Sequence, residues 1–526
     1  MNIDNLIGGQ PINLSKKYFI VKSQFYENFY VYLADSNHLD LSILISKTKH
    51  SWEQCQNINF KERVEILEKA ANSLTFSEEE IDSIVKMVGM PKKYVLEQIQ
   101  QIPKIMTSFW KIVSDRYGFK YGKIGLDFIK NGKVHKIEFR IPKSGFVYAI
   151  TPGNDQRITA LISTVLVLLG FPGIIKPSKV DNIIPLKVVK AIIDAGYPKN
   201  GLGVLFFNSE GPNANEYNFK LCDESSVIWP FGDNLTVDNL IRIEKQQVIN
   251  LDKFAKEKKI TDIKKEFQTF LNELKNSRDS IDDYIEYTTI DHFSSKLVLR
   301  HASGRCAGIL DNNFDVSTAA KLILNSSMKY PIGCNSLKSV YVVEPVFDEL
   351  VKKLKQELNY LDKYTSDPIK SNTEVGYINP ETALFLNKRI EELKLLKLVS
   401  ILHGGKQTGP LQFTPLLVST NDINSELLIN EIPAYILCLT KVKSFEDAVY
   451  QINKITENNL KLVVSYFTNN PKNMRLQVNA HHVKINHLTT DIDGLIHEGN
   501  DYIMQLTRPY VVHLEKKYLN THPYVT

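Results

Sequence analysis

Cysteine is scarce in this 526-residue chain: Cys55, Cys222, Cys306, Cys334 and Cys438 lie far apart, with no CxxC pair and no flanking histidine at ligand spacing. Neither a disulfide framework nor a structural zinc site is expected, and a reducing compartment fits best. Net charge is small too. The 64 Lys+Arg and 59 Asp+Glu leave +5, dispersed along the chain rather than gathered into a basic arm, which argues against a dedicated nucleic-acid binder. Long apolar runs are missing. The longest, residues 160–175 (ALISTVLVLLGFPGII), falls short of the ~20 residues a bilayer crossing needs and contains Ser163, Thr164, Gly170, Pro172 and Gly173. It reads as a buried helix running into a short strand, with no membrane span. The opening MNIDNLIGGQPINL has neither the basic nor the apolar region of a signal peptide, so a cytoplasmic location is expected. There is no GxGxxG fingerprint, only the fragment Gly201-Leu202-Gly203. Adjacent His481 and His482, with His487 nearby, would point to opposite faces of a strand with no carboxylate at ligand spacing; no metal is expected.

What is present is ordinary globular material. With 43% hydrophobic and 23% charged residues, the chain can bury more than one core, and two or three domains are expected. Within residues 60–110, FKERVEILEKAANSL and FSEEEIDSIVKMVGM read as amphipathic helices, the second with Ser77 as N-cap ahead of Glu79 and Glu80. LDFIKNGKVHKIEFRIP holds two alternating runs around Asn131-Gly132, a dipeptide suited to a two-residue hairpin turn. From GFVYAI (145–150) onward, strand-like and helix-like segments alternate: GIIKPS, LKVVKAIIDAG, VLFFN, SSVIWPFG. Such alternation indicates a parallel sheet covered by helices. Residues 243–285 turn charged and helical, with Ile263, Phe267, Phe270, Leu271 and Leu274 on one face. This insertion reads as a surface helix docked on its own domain, with a partner-binding helix as the alternative. A second α/β unit follows over 306–460, with VYVVEP, LLVST and AYILCL as strands.

Cys334, in YPIGCNSLKSVYVV, sits between a helical run and a strand. A lone cysteine is more often a small buried hydrophobe than a nucleophile, so its company decides. Asn154 directly follows a strand in AITPGNDQR, Lys176 comes 22 residues later in IIKPSK, His301 lies in LRHASGR, and Glu431 lies in NEIPAYILCL. In this order the segments resemble the aldehyde dehydrogenase superfamily: its PWN strand end, KPS cofactor strand, E-L-G-G-K segment, GQ.C nucleophile and E.FGP segment. The spacings, 33 residues from His301 to Cys334 and 97 from Cys334 to Glu431, need no gap. The resemblance spans roughly residues 59–506. It implies an α/β fold with a Rossmann-like cofactor domain (1–305), a catalytic α/β domain carrying the cysteine (306–460), and a return to the cofactor domain with a C-terminal arm (461–526). A β-hairpin oligomerisation arm at about 124–142 and a homodimer or homotetramer are implied as well. This superfamily holds its dinucleotide without GxGxxG, so the missing fingerprint is no contradiction.

By the same resemblance Cys334 is the nucleophile, and Asn154, with the backbone N–H of Cys334, is the oxyanion donor. Lys176, Ser178, Gly232 and Glu431 fall at cofactor-binding positions. At the position where NAD users place an acid for the ribose 2′-OH, this chain has Lys179, which attracts a 2′-phosphate and favours NADP, with NAD possible. The departures are informative. His301 replaces the family's glutamate base, Ser303-Gly304 its Gly-Gly, Gly153 its tryptophan, and Pro433-Ala434-Tyr435 the residues after Glu431. Without the glutamate, water is harder to activate, whereas a thiol such as coenzyme A or an acyl-carrier phosphopantetheine exchanges with less help. Histidine, with a reference pKa of ~6.5, remains a competent base. The expected function is NADPH-dependent reduction of an acyl thioester to an aldehyde. The alternatives are oxidation of aldehydes to acids and a non-catalytic interaction protein.

Overall fold

The computed structural model describes residues 2–120, 123–130, 133–232, 237, 239–240, 243–249, 285–291, 296–301, 304–395, 399–456, 460–490, 496–497 and 500–513. Residues 1–233 and 297–526 form one compact unit and residues 234–296 another.

Two seven-stranded sheets organise the larger unit. In the first, the continuous apolar run at Val147–Ile150 is a central strand, flanked in parallel by Gly173–Lys176 on one side and Val227–Pro230 on the other. Leu202–Val204 and Leu297–Val298 extend it in parallel, and Asn5–Ile7 and Gln10–Ile12 close one edge antiparallel. The apolar stretch expected to be a buried helix running into a strand is that: Arg157–Leu169 is helical and buried along its whole length, Gly170 ends it at φ +66°, and Gly173–Lys176 follows. A helix apolar all round needs cover on every side. Helices Phe60–Ser73, Glu78–Val88 and Lys92–Tyr117 contribute to the same hydrophobic core. Ser77 caps Glu78–Val88 as expected, accepting from the Glu80 N–H while the Glu80 carboxylate accepts from the Ser77 N–H. Among the described residues, no helix is long and apolar enough to cross a membrane.

The second sheet runs in the order Val399–His403, Leu416–Thr420, Ile436–Val442, Leu337–Val343, Cys306–Leu310, Lys461–Phe467, Ala480–Ile485. Every pairing is parallel except the antiparallel edge formed by Val399–His403. The three strand expectations in this region all fall on strands of this sheet. Lys123–Lys130 and Lys133–Pro142 pair antiparallel, and Thr507–His513 joins them on the far side of the second strand. The hairpin arm is therefore present; its turn dipeptide, Asn131-Gly132, lies outside the described residues.

The smaller unit corrects one expectation. Residues 243–249, expected to open a charged helical insertion, form the strand Ile243–Ile249, paired antiparallel with Ile285–Asp291. Its partner sequence, IEYTTID, is rich in β-branched residues. A ladder contributed by a segment this distant overrides a local helical preference. The apolar face from Ile263 to Leu274 lies outside the described residues, as does Ser303.

Candidate active site

Where the first sheet's central strand ends, Thr151-Pro152-Gly153 carries the chain to Asn154, whose side-chain amide donates to the carbonyl of Ile332. Ile332 belongs to the turn that leads into strand Leu337–Val343, closed by the Gly333 N–H on Tyr330 O at 3.1 Å and the Ser336 N–H on Gly333 O at 2.9 Å. Cys334 sits in this turn, half-buried, while the other four cysteines are fully buried. Its nearest rival is disarmed. The Cys306 thiol donates to the Cys334 carbonyl at 3.5 Å, and burial pushes it up to about 12, so the reactive thiolate is not formed near neutral pH.

Gly304 lies so close to the Cys334 carbonyl that a Cβ there would stand 1.5 Å from the oxygen. Its N–H donates to the Glu431 carboxylate at 2.8 Å. Asn154, Cys334 and Glu431, drawn from three separate segments, are thereby brought to one place. Glu431 also lines a cavity of about 460 Å³ with Arg305, Thr382, Phe385, Ile432 and Pro433. Gly153 is small for a local reason: a Cβ there would fall 2.2 Å from Val180 and 2.8 Å from the Ser178 hydroxyl.

Two lysines that the sequence reading passed over hold this region. Lys338, only 4% exposed, donates to the carbonyls of Pro331 and, at 2.8 Å, of Ala434, tying the cysteine turn to the segment after Glu431. Burial pushes its ammonium down to about 7, against the opposing pull of Glu431 and Cys306. Lys461 donates to Leu428 O at 2.8 Å, and burial lowers it to about 8. The signal available in sequence was a lysine set inside a run, LKSVYVV, whose neighbours are apolar on both faces.

On the other side lie Lys176, Ser178 and Lys179. The Lys176 ammonium stands 4.9 Å over the Phe207 ring, and burial, with Lys179 adding repulsion, lowers it to about 8. Lys179 is paired at 2.6 Å with Glu210, an acid that the sequence reading did not connect to it. Ser178 N–H donates to Thr151 O at 3.1 Å, so the lysine segment is sewn to the strand end that carries Asn154.

His301 is placed differently from Cys334's neighbours. It is 2% exposed, its ring stacks on Phe231 at 4.2 Å, and Nε2 shares a hydrogen bond with the Tyr502 hydroxyl at 3.3 Å. Its carbonyl accepts from the Gly232 N–H at 3.1 Å, which ties Gly232 to the same edge of the first sheet. Among the described residues, no group of three or more His, Cys, Asp or Glu side chains is arranged to hold a metal ion.

Comparison with known proteins identifies the family and the fold. The model of the aldehyde dehydrogenase family matches residues 15–215 and 239–500. Gamma-glutamyl phosphate reductase of Nostoc punctiforme is 24% identical over 197 residues, which is 38% of this chain and 36% of that protein; the chain thus aligns with about a third of this curated relative's length. Among solved structures, the NADP-dependent glyceraldehyde-3-phosphate dehydrogenase of Bacillus halodurans C-125, complexed with NADP, superimposes with a TM-score of 0.73 at 17% identity, covering 98% of this chain and 99% of that one. An NAD-dependent aldehyde dehydrogenase from Sinorhizobium meliloti gives a TM-score of 0.73 at 16% identity, covering 98% and 95%.

Proposed function

The chain belongs to the aldehyde dehydrogenase family, and from that premise we propose that it is an NAD(P)-dependent oxidoreductase that works through a covalent bond between Cys334 and the substrate's carbonyl carbon. The observation that carries this reading is the hydrogen bond from the Asn154 amide to Ile332, two residues before the half-buried Cys334. It fixes an amide donor beside the thiol. When the Cys334 thiolate adds to the carbonyl, the oxygen becomes an alkoxide, and the second N–H of the Asn154 amide is available to meet that charge. Glu431, held by Gly304, and Lys338 keep the cysteine turn at a fixed distance from the opposite wall.

The Lys176 segment fits a dinucleotide. Among the described residues the half-buried Lys176 ammonium has no hydrogen-bond or ion-pair partner, and a donor so placed suits the hydroxyls of a ribose. Lys176 and Ser178 would hold the dinucleotide from the first sheet, with Glu431 on the far side and Gly232 at the neighbouring strand end. Bound nicotinamide supplies or accepts the hydride. Lys179 and Glu210 together set the ribose 2′ position: the lysine favours a 2′-phosphate, and the carboxylate favours a free 2′-hydroxyl. The pair supports use of both NADP and NAD.

The enclosure of His301 supports reduction of an acyl thioester to an aldehyde as the direction. A general base must reach the water it deprotonates, and this ring is stacked on Phe231 with Nε2 engaged by Tyr502. Hydrolysis of the Cys334 thioester therefore lacks an evident base, whereas exchange with a thiol, coenzyme A or a phosphopantetheine, needs less assistance. In this direction Cys334 takes the acyl group as the donor's thiolate leaves; hydride that a bound nicotinamide would supply to the thioester carbon gives an alkoxide, and the cysteine sulfur leaves when that alkoxide collapses to the aldehyde. Incubation with acyl-CoA and NADPH is expected to yield free coenzyme A and aldehyde. Faster conversion of aldehyde and NADP to free acid, with loss of that rate in His301→Ala, contradicts this direction.

A further inference from the structure

We propose that the acyl side of the Cys334 site takes a polar substrate, one whose chain carries charged or hydrogen-bonding groups, in preference to an aliphatic chain. This rests on the reading of Cys334 and Asn154 given above. The carbonyl carbon has to lie between these two residues. Lys176, Ser178 and Glu431 are spent on the dinucleotide, so the rest of the substrate leaves past the residues that flank Asn154 and Cys334 on their remaining side.

That wall is ionic. Asp155 and Arg157, next along the chain from Asn154, form a two-pronged pair, Nε to Oδ1 at 2.8 Å and Nη2 to Oδ2 at 2.7 Å. The third prong, Nη1, donates to Gln101 at 2.9 Å. The same guanidinium lies 5.3 Å from the ring of Tyr330, four residues before Cys334. The Tyr330 hydroxyl donates to Glu97 at 3.4 Å, and Glu97 pairs in turn with Lys329, whose ammonium stands 5.6 Å over the Tyr330 ring. Exposure is graded along this row: the Glu97 and Lys329 side chains are 39% and 28% exposed, those of Asp155 and Arg157 14% and 3%. Charges thus run from the solvent-facing rim inward to the residue beside Asn154.

A second observation points the same way. Gln98 and Gln156, both fully buried beside this loop, leave Nε2 of the first and Oε1 of the second without a protein partner. Gln156 is anchored to Gly153 O at 3.3 Å, next to Asn154. Buried polar atoms of this kind are normally satisfied by water or ligand. An aliphatic chain laid along such a wall strips water from Glu97 and Lys329 and returns no hydrogen bond. A chain with its own polar groups replaces the water it displaces, and a site built of hydrogen-bonding groups discriminates strongly against analogues that lack them.

The test reads the subsite without requiring turnover. Wild-type protein is alkylated with iodoacetamides of equal tail length bearing n-alkyl, ω-carboxyalkyl or amino-acid tails. Rates of adduct formation at Cys334 are followed by intact-protein mass spectrometry and normalised to the rates with glutathione. Polar tails are expected to react on the order of tenfold faster than the alkyl tail. Replacing Glu97 and Lys329 together by leucine should narrow that ratio while leaving dinucleotide affinity unchanged. An alkyl tail that reacts fastest, or a ratio untouched by the double replacement, overturns the proposal. Polar preference in alkylation combined with no thioester on Cys334 from any acyl donor would instead overturn the oxidoreductase reading and leave the subsite standing.

Discussion

The proposed reactive centre depends on side chains that differ in how visible they are in the sequence. Cys334, Asn154 and Glu431 were legible because each sits at a strand boundary in a fixed order, and order survives divergence. Lys338 and Glu210 were not, because their partners come from 96 and 31 residues away and nothing local marks them. His301 was legible as a departure, yet its burial under Phe231 and Tyr502 became visible only in three dimensions. Gly304→Ala places a Cβ into the Cys334 carbonyl, a backbone atom that cannot rotate away; the variant should lose about 1–3 kcal/mol in urea denaturation and most of its turnover. Glu210→Gln should raise the preference for NADP over NAD by removing a carboxylate near a 2′-phosphate, and Lys179→Glu should shift it toward NAD. The opposed changes are each about 1 kcal/mol or less, because the Lys179 and Glu210 side chains are 44% and 75% exposed, and they are measured as ratios of kcat/KM. Unchanged ratios in both would show that the Lys179–Glu210 pair does not face the ribose.

Elements announced themselves where local pattern and tertiary environment agree. The strand Val147–Ile150, the helix Arg157–Leu169 and the Ser77 cap were each readable from a handful of adjacent residues, because period, turn chemistry and capping all act locally. The strand Ile243–Ile249 was not: its stability lies in the ladder with Ile285–Asp291, and its own sequence, IEKQQVI, is compatible with a helix. The hairpin arm shows both sides. Asn131-Gly132 advertised two strands, but the third, Thr507–His513, returns from the far end of the chain. Strands with unpaired edges invite pairing with another copy. We propose that the hairpin mediates self-assembly: light scattering should then give an oligomeric mass for the wild type and a monomeric mass when residues 124–141 are replaced by a short Gly-Ser link, and an unchanged mass would contradict this role.

At the scale of the whole molecule, buried lysines make stability depend on pH in a defined direction. Lys338 titrates at about 7 and Lys461 and Lys176 at about 8 in the folded chain, against ~10.4 when unfolded. From pH 7 upward the unfolded chain therefore binds more protons, so these groups make stability rise with pH, by at most about 1.4 kcal/mol per pH unit for each proton. Above pH ~8.5 the rise is opposed, because thiols such as Cys306 and Cys438 ionise in the unfolded chain and are held protonated by burial in the folded one. Denaturation midpoints of wild type and Lys338→Met between pH 7 and 8 should show a smaller rise in the variant; equal slopes would mean that Lys338 is not held neutral. The central claim, that this fold brings Cys334 and Asn154 together to carry an acyl group, is tested most directly by mass spectrometry of the protein mixed with short acyl-CoA thioesters in the absence of dinucleotide. An acyl adduct is expected on the Cys334 peptide, absent in Cys334→Ala, which should still bind NADP. Adduct on Cys306, or none on any cysteine, would contradict it.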